Sequence, residues 1–304
     1  MSMWKAYTVI LILLVSLADA KILVSMPELK EIVERISGEE VESLIGSQID
    51  PHSVSIGYQD LKKIEYAEVV LLANSRLLEF ESKVMQVCGG KCLDFEDYNA
   101  TLQDFPGIGE NPHAYWLLPR NALNIALALK NKLVEMHPER VEEFEKNYQD
   151  LKKAIEFAEK DAKKIVSKVK DYSFVAMDPH VAYAVSALGL NVSLAFPEEF
   201  TPSAEELSRM GQLRNCVLVL VEYQEGTKLE EIAKQISEDY KCGMAKVRVI
   251  SDLNFETLLI ANAVSLSNPS FAESENNLPL YLLSSIAVTE ALGIVVLWRS
   301  KRRT

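Results

Sequence analysis

Two α/β lobes with mostly parallel sheets, joined by one long helix, are the fold that the sequence predicts, and three observations carry it. Short β-rich runs at residues 22–26, 41–45 and 69–73 alternate with helical stretches. The same rhythm resumes after Asp171, with runs at 173–177, 192–196, 216–221 and 247–250. Between the two halves lies a long, regularly amphipathic segment. Apolar strands alternating with helices imply parallel sheets covered on both faces. The spacing therefore predicts an N-terminal lobe over 21–135, a linking helix over 136–170 and a C-terminal lobe over 171–275.

Several helices carry start signals. Ser203 with Glu206 and Thr227 with Glu230 are capping-box patterns, in which a hydroxyl and a carboxylate satisfy otherwise unpaired first-turn amides. In the linking segment, Pro138 suits a helix start because its missing N–H has no partner there anyway. Val141, Phe144, Tyr148, Leu151, Ile155, Ala158, Ala162, Ile165 and Val169 then recur at steps of three and four among charged residues. This predicts one unbroken helix of about 30 residues, roughly 45 Å long at 1.5 Å per residue. A dimeric coiled coil shares the pattern, but a position midway between two α/β halves favours packing along both as a spine.

The ends read as targeting segments. Lys5, an apolar run over 6–17 and Ala18-Asp19-Ala20 resemble a signal peptide over 1–20; an uncleaved anchor is the alternative, for which the run is short. Near the C-terminus, residues 280–298 are apolar except for Glu290. That length suits a transmembrane helix, expected over 278–298, while a buried amphipathic helix is the competing reading. The tail over 299–304 holds Arg299, Lys301, Arg302 and Arg303, which places it in the cytoplasm by the positive-inside rule. About 260 residues between these segments are then expected on the extracellular face of the membrane, enough for two domains.

Forty-four acidic residues against 32 basic ones give a net charge of −12. Nucleic acid, which needs a basic face, is excluded as a partner. The acidity suits cation attraction and solubility equally. Four cysteines form two local pairs, Cys88 with Cys92 and Cys216 with Cys242, and an even count outside the cell favours disulfides. The CxxxC spacing also suits half a metal site, although no second half is nearby. Asn99-Ala100-Thr101 and Asn191-Val192-Ser193 match the glycan acceptor pattern, which is common by chance.

The chemistry concentrates in the histidines. Three of the four sit in one tripeptide pattern: Asp50-Pro51-His52, Asn111-Pro112-His113 and Asp178-Pro179-His180. Multiplying 11 prolines by a histidine frequency of 4 in 304 gives about 0.15 Pro-His steps by chance, against three present. Each lies near a strand end, where open α/β sheets place their ligands. Proline stiffens the turn, and the preceding acid or amide is placed to accept the second ring N–H, as metal-bound histidines require. His137, in the reversed order before Pro138, reads as a helix-boundary residue. Asp252, just after the run at 247–250, is the fourth candidate ligand. Three imidazoles and a carboxylate form a closed tetrahedral set suited to Zn²⁺ and acceptable to Mn²⁺. A closed set leaves no place for activated water, so it argues for carriage and against catalysis. Neither HExxH, a phosphate-binding Gly-rich loop nor G-x-S-x-G occurs.

From residue 21 to about 266 the chain resembles the substrate-binding proteins of zinc and manganese ABC importers. The resemblance rests on Asp50-Pro51-His52 followed by Asp60-Leu61-Lys62-Lys63-Ile64, on Asn111-Pro112-His113 with Trp116 and Pro119, on the linking helix, on residues 177–190 and on Ser251-Asp252-Leu253. It implies two four-stranded lobes with the metal between them, His52 and His113 as N-lobe ligands, Asp252 as the last C-lobe ligand, and an importer permease in the same membrane as partner. A monomer is expected.

Three departures stand out. One residue is inserted and an acid lost in the stretch 113–119. The loop 88–110 has no histidine, but carries Asp94, Glu96, Asp97, Asp104 and Glu110. Counted back from Gly189 without a gap, the family's third ligand falls on Asp178 instead of His180, so the two compete for that place. The Pro-His recurrence favours His180. Two other classes are weighed beside a zinc-preferring binding protein: an extracellular zinc hydrolase, and a surface adhesin with a structural metal.

Overall fold

A computed structural model describes residues 22–46, 51–198, 200, 202–250 and 253–271. The expected signal segment and the apolar run at 278–298 lie outside the described residues. Among those described, no helix is long and apolar enough to cross a membrane.

In the N-terminal lobe, β1 (Ile22–Val24) is wholly buried and leads through the turn Pro27–Leu29 into α1 (Lys30–Ser37). Ile32, Val33 and Ile36 point inward from α1, which stops where Gly38 turns left-handed at φ 74°. β2 (Glu42–Ser43) follows; the expected strand at 41–45 pairs over these two residues alone. α2 (Tyr58–Tyr66) begins where the Asp60 carboxylate reaches back 3.0 Å to the Gly57 N–H. β3 (Val69–Leu71), α3 (Glu79–Cys88) and β4 (Cys92–Leu93) complete a four-stranded parallel sheet in the order β2-β1-β3-β4. The Cys88 and Cys92 sulfurs are 2.00 Å apart and fasten the end of α3 to β4.

The loop 88–110 holds an element that the sequence reading lacked, an antiparallel hairpin of β5 (Gln103–Phe105) and β6 (Gly109–Asn111). Its acids are largely committed. Asp94 accepts from the Ser75 N–H at 3.0 Å and from its hydroxyl at 2.5 Å, and Asp97 caps the Asp94 amide at 2.8 Å. Glu96 pairs with Arg76, while Asp104 and Glu110 face each other at exposed positions across the hairpin.

α4 (Pro119–Met136) starts at a proline and leads to the spine, where the structure corrects the expectation. The α-helical part, α5 (Val141–Ile165), has 25 residues, and Pro138–Arg140 and Val166–Val169 at either end are 3₁₀ turns. The Val141 N–H bonds three residues back to Pro138, so the first turn is the tighter kind. The packing is intramolecular: α5 lies along α1 and α4 of one lobe and the last helix of the other. Phe144, Leu151, Ile155, Ala158 and Ala162 are buried, whereas Val141 at the edge is 42% exposed.

The C-terminal lobe runs β7 (Ser173–Ala176), α6 (Pro179–Ser186), β8 (Val192–Ala195), α7 (Ala204–Met210), β9 (Cys216–Val221), α8 (Lys228–Tyr240), β10 (Gly243–Val247), α9 (Phe255–Ser267) and β11 (Ser270–Phe271). The sheet order is β11-β10-β9-β7-β8, five strands where four were expected. The run expected at 247–250 is displaced, its strand ending at Val247. Strand β9 is buried at every residue, as a central parallel strand must be. Its side chains alternate between two cores. Val217, Val219 and Val221 join the large core that also holds N-lobe and spine residues, while Leu218 and Leu220 pack with Met210, Ala233 and Ile236. The Cys216 and Cys242 sulfurs, 2.13 Å apart, tie the start of β9 to the residue before β10. One core thus runs through both lobes and the spine.

Candidate metal-binding cleft

The second and third Pro-His turns are built alike. In the second, Asn111 Oδ1 accepts from the His113 backbone N–H at 3.0 Å and lies 3.1 Å from ring Nδ1. In the third, Asp178 Oδ1 accepts from the His180 N–H at 2.8 Å and lies 2.7 Å from its Nδ1. Both are Asx turns, with proline at the middle position fixing φ. An amide or carboxylate oxygen only accepts, so Nδ1 must carry the proton in each ring and Nε2 is left as the electron-pair donor. Asn111 is not free to flip, since its Nδ2 donates to the Pro179 carbonyl at 2.8 Å. Asp178 also caps α6, and its other oxygen accepts from Gln224 at 3.0 Å.

The turns converge from both lobes. The His113 ring centre is 6.0 Å from that of His52 and 5.2 Å from that of His180. His52 lies on the short turn Pro51–Ser53 and is exposed; its motif partner Asp50 lies outside the described residues. Asp252 also lies outside them. His137 is committed elsewhere, with Nε2 3.0 Å from Glu68, in keeping with a helix-boundary role.

Two carboxylates missing from the sequence reading join the cleft. An oxygen of Glu198 lies within 4.8 Å of ring nitrogens of both His52 and His113, and 3.9 Å from His180 Nδ1. Glu198 follows β8, and a carboxylate just beyond a parallel strand's carboxyl end was the available signal. Glu28 follows β1; its Oε2 is buried without a hydrogen-bond partner among the described residues.

The electrostatics separate the rings. Burial, with His180 and His52 close by, lowers His113 to about 4, so that imidazole is neutral and able to donate electrons at ordinary pH. Burial also opposes a proton on His180, but the Asp178 hydrogen bond and charge, with Glu198 and Glu28, outweigh it and raise that ring above its usual value. For Asp178, burial is overcome by the His180 hydrogen bond and charge, and its carboxyl is lowered. Burial raises Glu28.

These features define a two-lobed α/β protein with a spine helix and a cleft lined by imidazoles from both lobes. Residues 22–263 match the family described as ZnuA, zinc-uptake complex component A, periplasmic, and the chain belongs to that family. It is 23% identical over 205 residues to the zinc-binding lipoprotein AdcA of Streptococcus pneumoniae serotype 4, covering 62% of this chain and 40% of that protein. It is 23% identical over 164 residues to the manganese-binding lipoprotein MntA of Bacillus subtilis, covering 52% of this chain and 53% of the relative. The chain thus matches about half or less of the length of these relatives. Both relatives are named as metal-binding lipoproteins. Among solved structures, a zinc-bound ZnuA deletion mutant superposes with a TM-score of 0.66 at 20% identity, over 84% of this chain and 100% of that one. FpvC from Pseudomonas aeruginosa with Mn²⁺ gives 0.68 at 17% identity, over 81% and 96%. At these identities the likeness is one of fold.

Proposed function

We propose that this protein captures a divalent transition-metal ion, zinc in preference to manganese, in the interlobe cleft and passes it to an ABC importer permease in the same membrane. The observation that carries this reading is the convergence of His52, His113 and His180, two of them with Nδ1 anchored and Nε2 left as donor. Borderline nitrogen donors suit Zn²⁺ best, and a carboxylate completes a tetrahedral set. We assign that fourth place to Asp252. The third place goes to His180: both Asp178 oxygens already accept hydrogen bonds, which suits it to orienting the ring instead of binding the ion. Zinc named in the family description and in AdcA supports the preference, and manganese named in MntA marks the competitor. We place the binding unit outside the cell as a monomer, tethered by the apolar run at 278–298.

The test uses a chain ending before residue 278, expressed with its own leader. It is expected in the medium, folded without metal, and to retain one equivalent of zinc after loading with equimolar zinc and manganese. Retention of manganese would reverse the preference, and failure to bind either ion would remove the reading altogether.

A further inference from the structure

The hairpin of β5 and β6 belongs to the N-terminal lobe by sequence, yet its hydrogen bonds run into the C-terminal lobe. At the tip, the Ala195 N–H donates to the Pro106 carbonyl at 2.7 Å, so the hairpin docks on the end of strand β8. Gly107 sits there at φ +105°, and a Cβ on it would overlap the Ala195 carbonyl and come within 3.0 Å of Leu194. Both strands of the stem are gripped by one phenol. Tyr183 Oη donates to the Asn111 carbonyl at 2.7 Å and accepts from the Gln103 N–H at 3.0 Å. The Phe105 ring stands edge-on to that of Tyr183 at 5.2 Å, and Ser186 Oγ donates to Gln103 Oε1 at 2.5 Å. Asn111 closes the connection. It is 1% exposed, binds both the backbone and the ring of His113, and donates to Pro179, the residue before His180.

From this geometry we propose that Asn111 and Tyr183 are positioning residues: through the hairpin they strap the two lobes together, holding the His113 and His180 turns at binding distance before the ion arrives. The proposal rests on the reading of those two histidines as cargo ligands. Its physical content is a population argument. If the strap opens, the fraction of molecules with both donors in place falls, and apparent affinity falls by the same fraction. The coupling is reciprocal, so a bound ion must in turn close the strap.

The experiment measures amide exchange and zinc affinity of the full ectodomain carrying Tyr183→Phe, which keeps the ring and removes both phenol bonds. Gly107→Val, which blocks the tip, is the second variant, so a folding failure in one leaves the other decisive. Without metal, exchange at Ala195 and at residues 103–111 is expected to quicken at least about tenfold, and zinc affinity to fall by roughly 10- to 100-fold, the range for residues supporting a metal ligand. Zinc at saturation is expected to restore the protection, which a merely structural defect would not show. Faster exchange with unchanged affinity would refute the positioning role, and unchanged exchange in both variants would refute the strap. Unchanged affinity in His113→Ala would instead refute the ligand reading, and the exchange result would still stand.

Discussion

Asp178 Oδ1 and His180 Nδ1 lie 2.7 Å apart, and the pair repeats the geometry of Asn111 with His113. Because an asparagine does this work in one turn, an asparagine should suffice in the other. Asp178→Asn is expected to keep zinc affinity within a few-fold, whereas Asp178→Ala loses roughly 10- to 100-fold and His180→Ala more. Competition titration against a chromogenic chelator reads all three. An Asp178→Asn protein as damaged as His180→Ala would make the carboxylate the ligand.

The pH dependence of stability should centre on a different carboxyl. Glu81 is fully buried and raised to about 7 by burial, against hydrogen bonds from the Ala73 and Asn74 amides at 2.8 and 2.6 Å. A raised carboxyl favours the folded state when protonated. Its contribution is full below the unfolded value near 4.5 and is lost as pH rises through about 7. The loss is on the order of 3 kcal/mol at one pKa unit per 1.36 kcal/mol. The melting temperature of the metal-free protein is expected to fall between pH 5 and 8, and Glu81→Gln to flatten that slope.

Both disulfides should appear in unreduced peptide maps. The Cys216–Cys242 bridge closes a separation of 26 residues and Cys88–Cys92 one of 4. Loop-closure entropy makes the longer bridge the more valuable, about 3.5 kcal/mol. Denaturant titration of Cys216→Ala/Cys242→Ala should show that loss, with a smaller one for the other pair. Four free thiols in the purified protein would count against both bridges.

The spine offers a contrast within one helix. Ile155 is 0% exposed and Phe157 is 68% exposed. Ile155→Ala should cost about 2–5 kcal/mol, and Phe157→Ala should stay within about 0.5 kcal/mol. Equal effects at the two positions would mean that α5 faces another partner on its outer side.

Much of this protein was determined by local pattern alone. Steps of three and four from Phe144 to Ala162 specify which face of the spine is buried, and alternation of apolar strands with helices specifies two parallel-sheet lobes. Three Pro-His steps mark the cleft before any fold is known, because proline acts on its immediate neighbours. Even there the limits of local pattern show: the spine's ends tighten to 3₁₀ turns, and the strand expected at 247–250 ends at Val247. What only the tertiary structure decided depends on groups far apart in the chain. Glu198 joins the histidines because β8 happens to end beside them. Asp178 accepts a hydrogen bond from Gln224, 46 residues away. Asn111 meets Pro179 across 68 residues, and the hairpin that brings them together carries no strong signal of its own. Its strands are three residues each and stay in place through bonds to the opposite lobe. So short a ladder is not stable by itself, and its structure exists only where the second lobe supplies Tyr183 and the edge of β8.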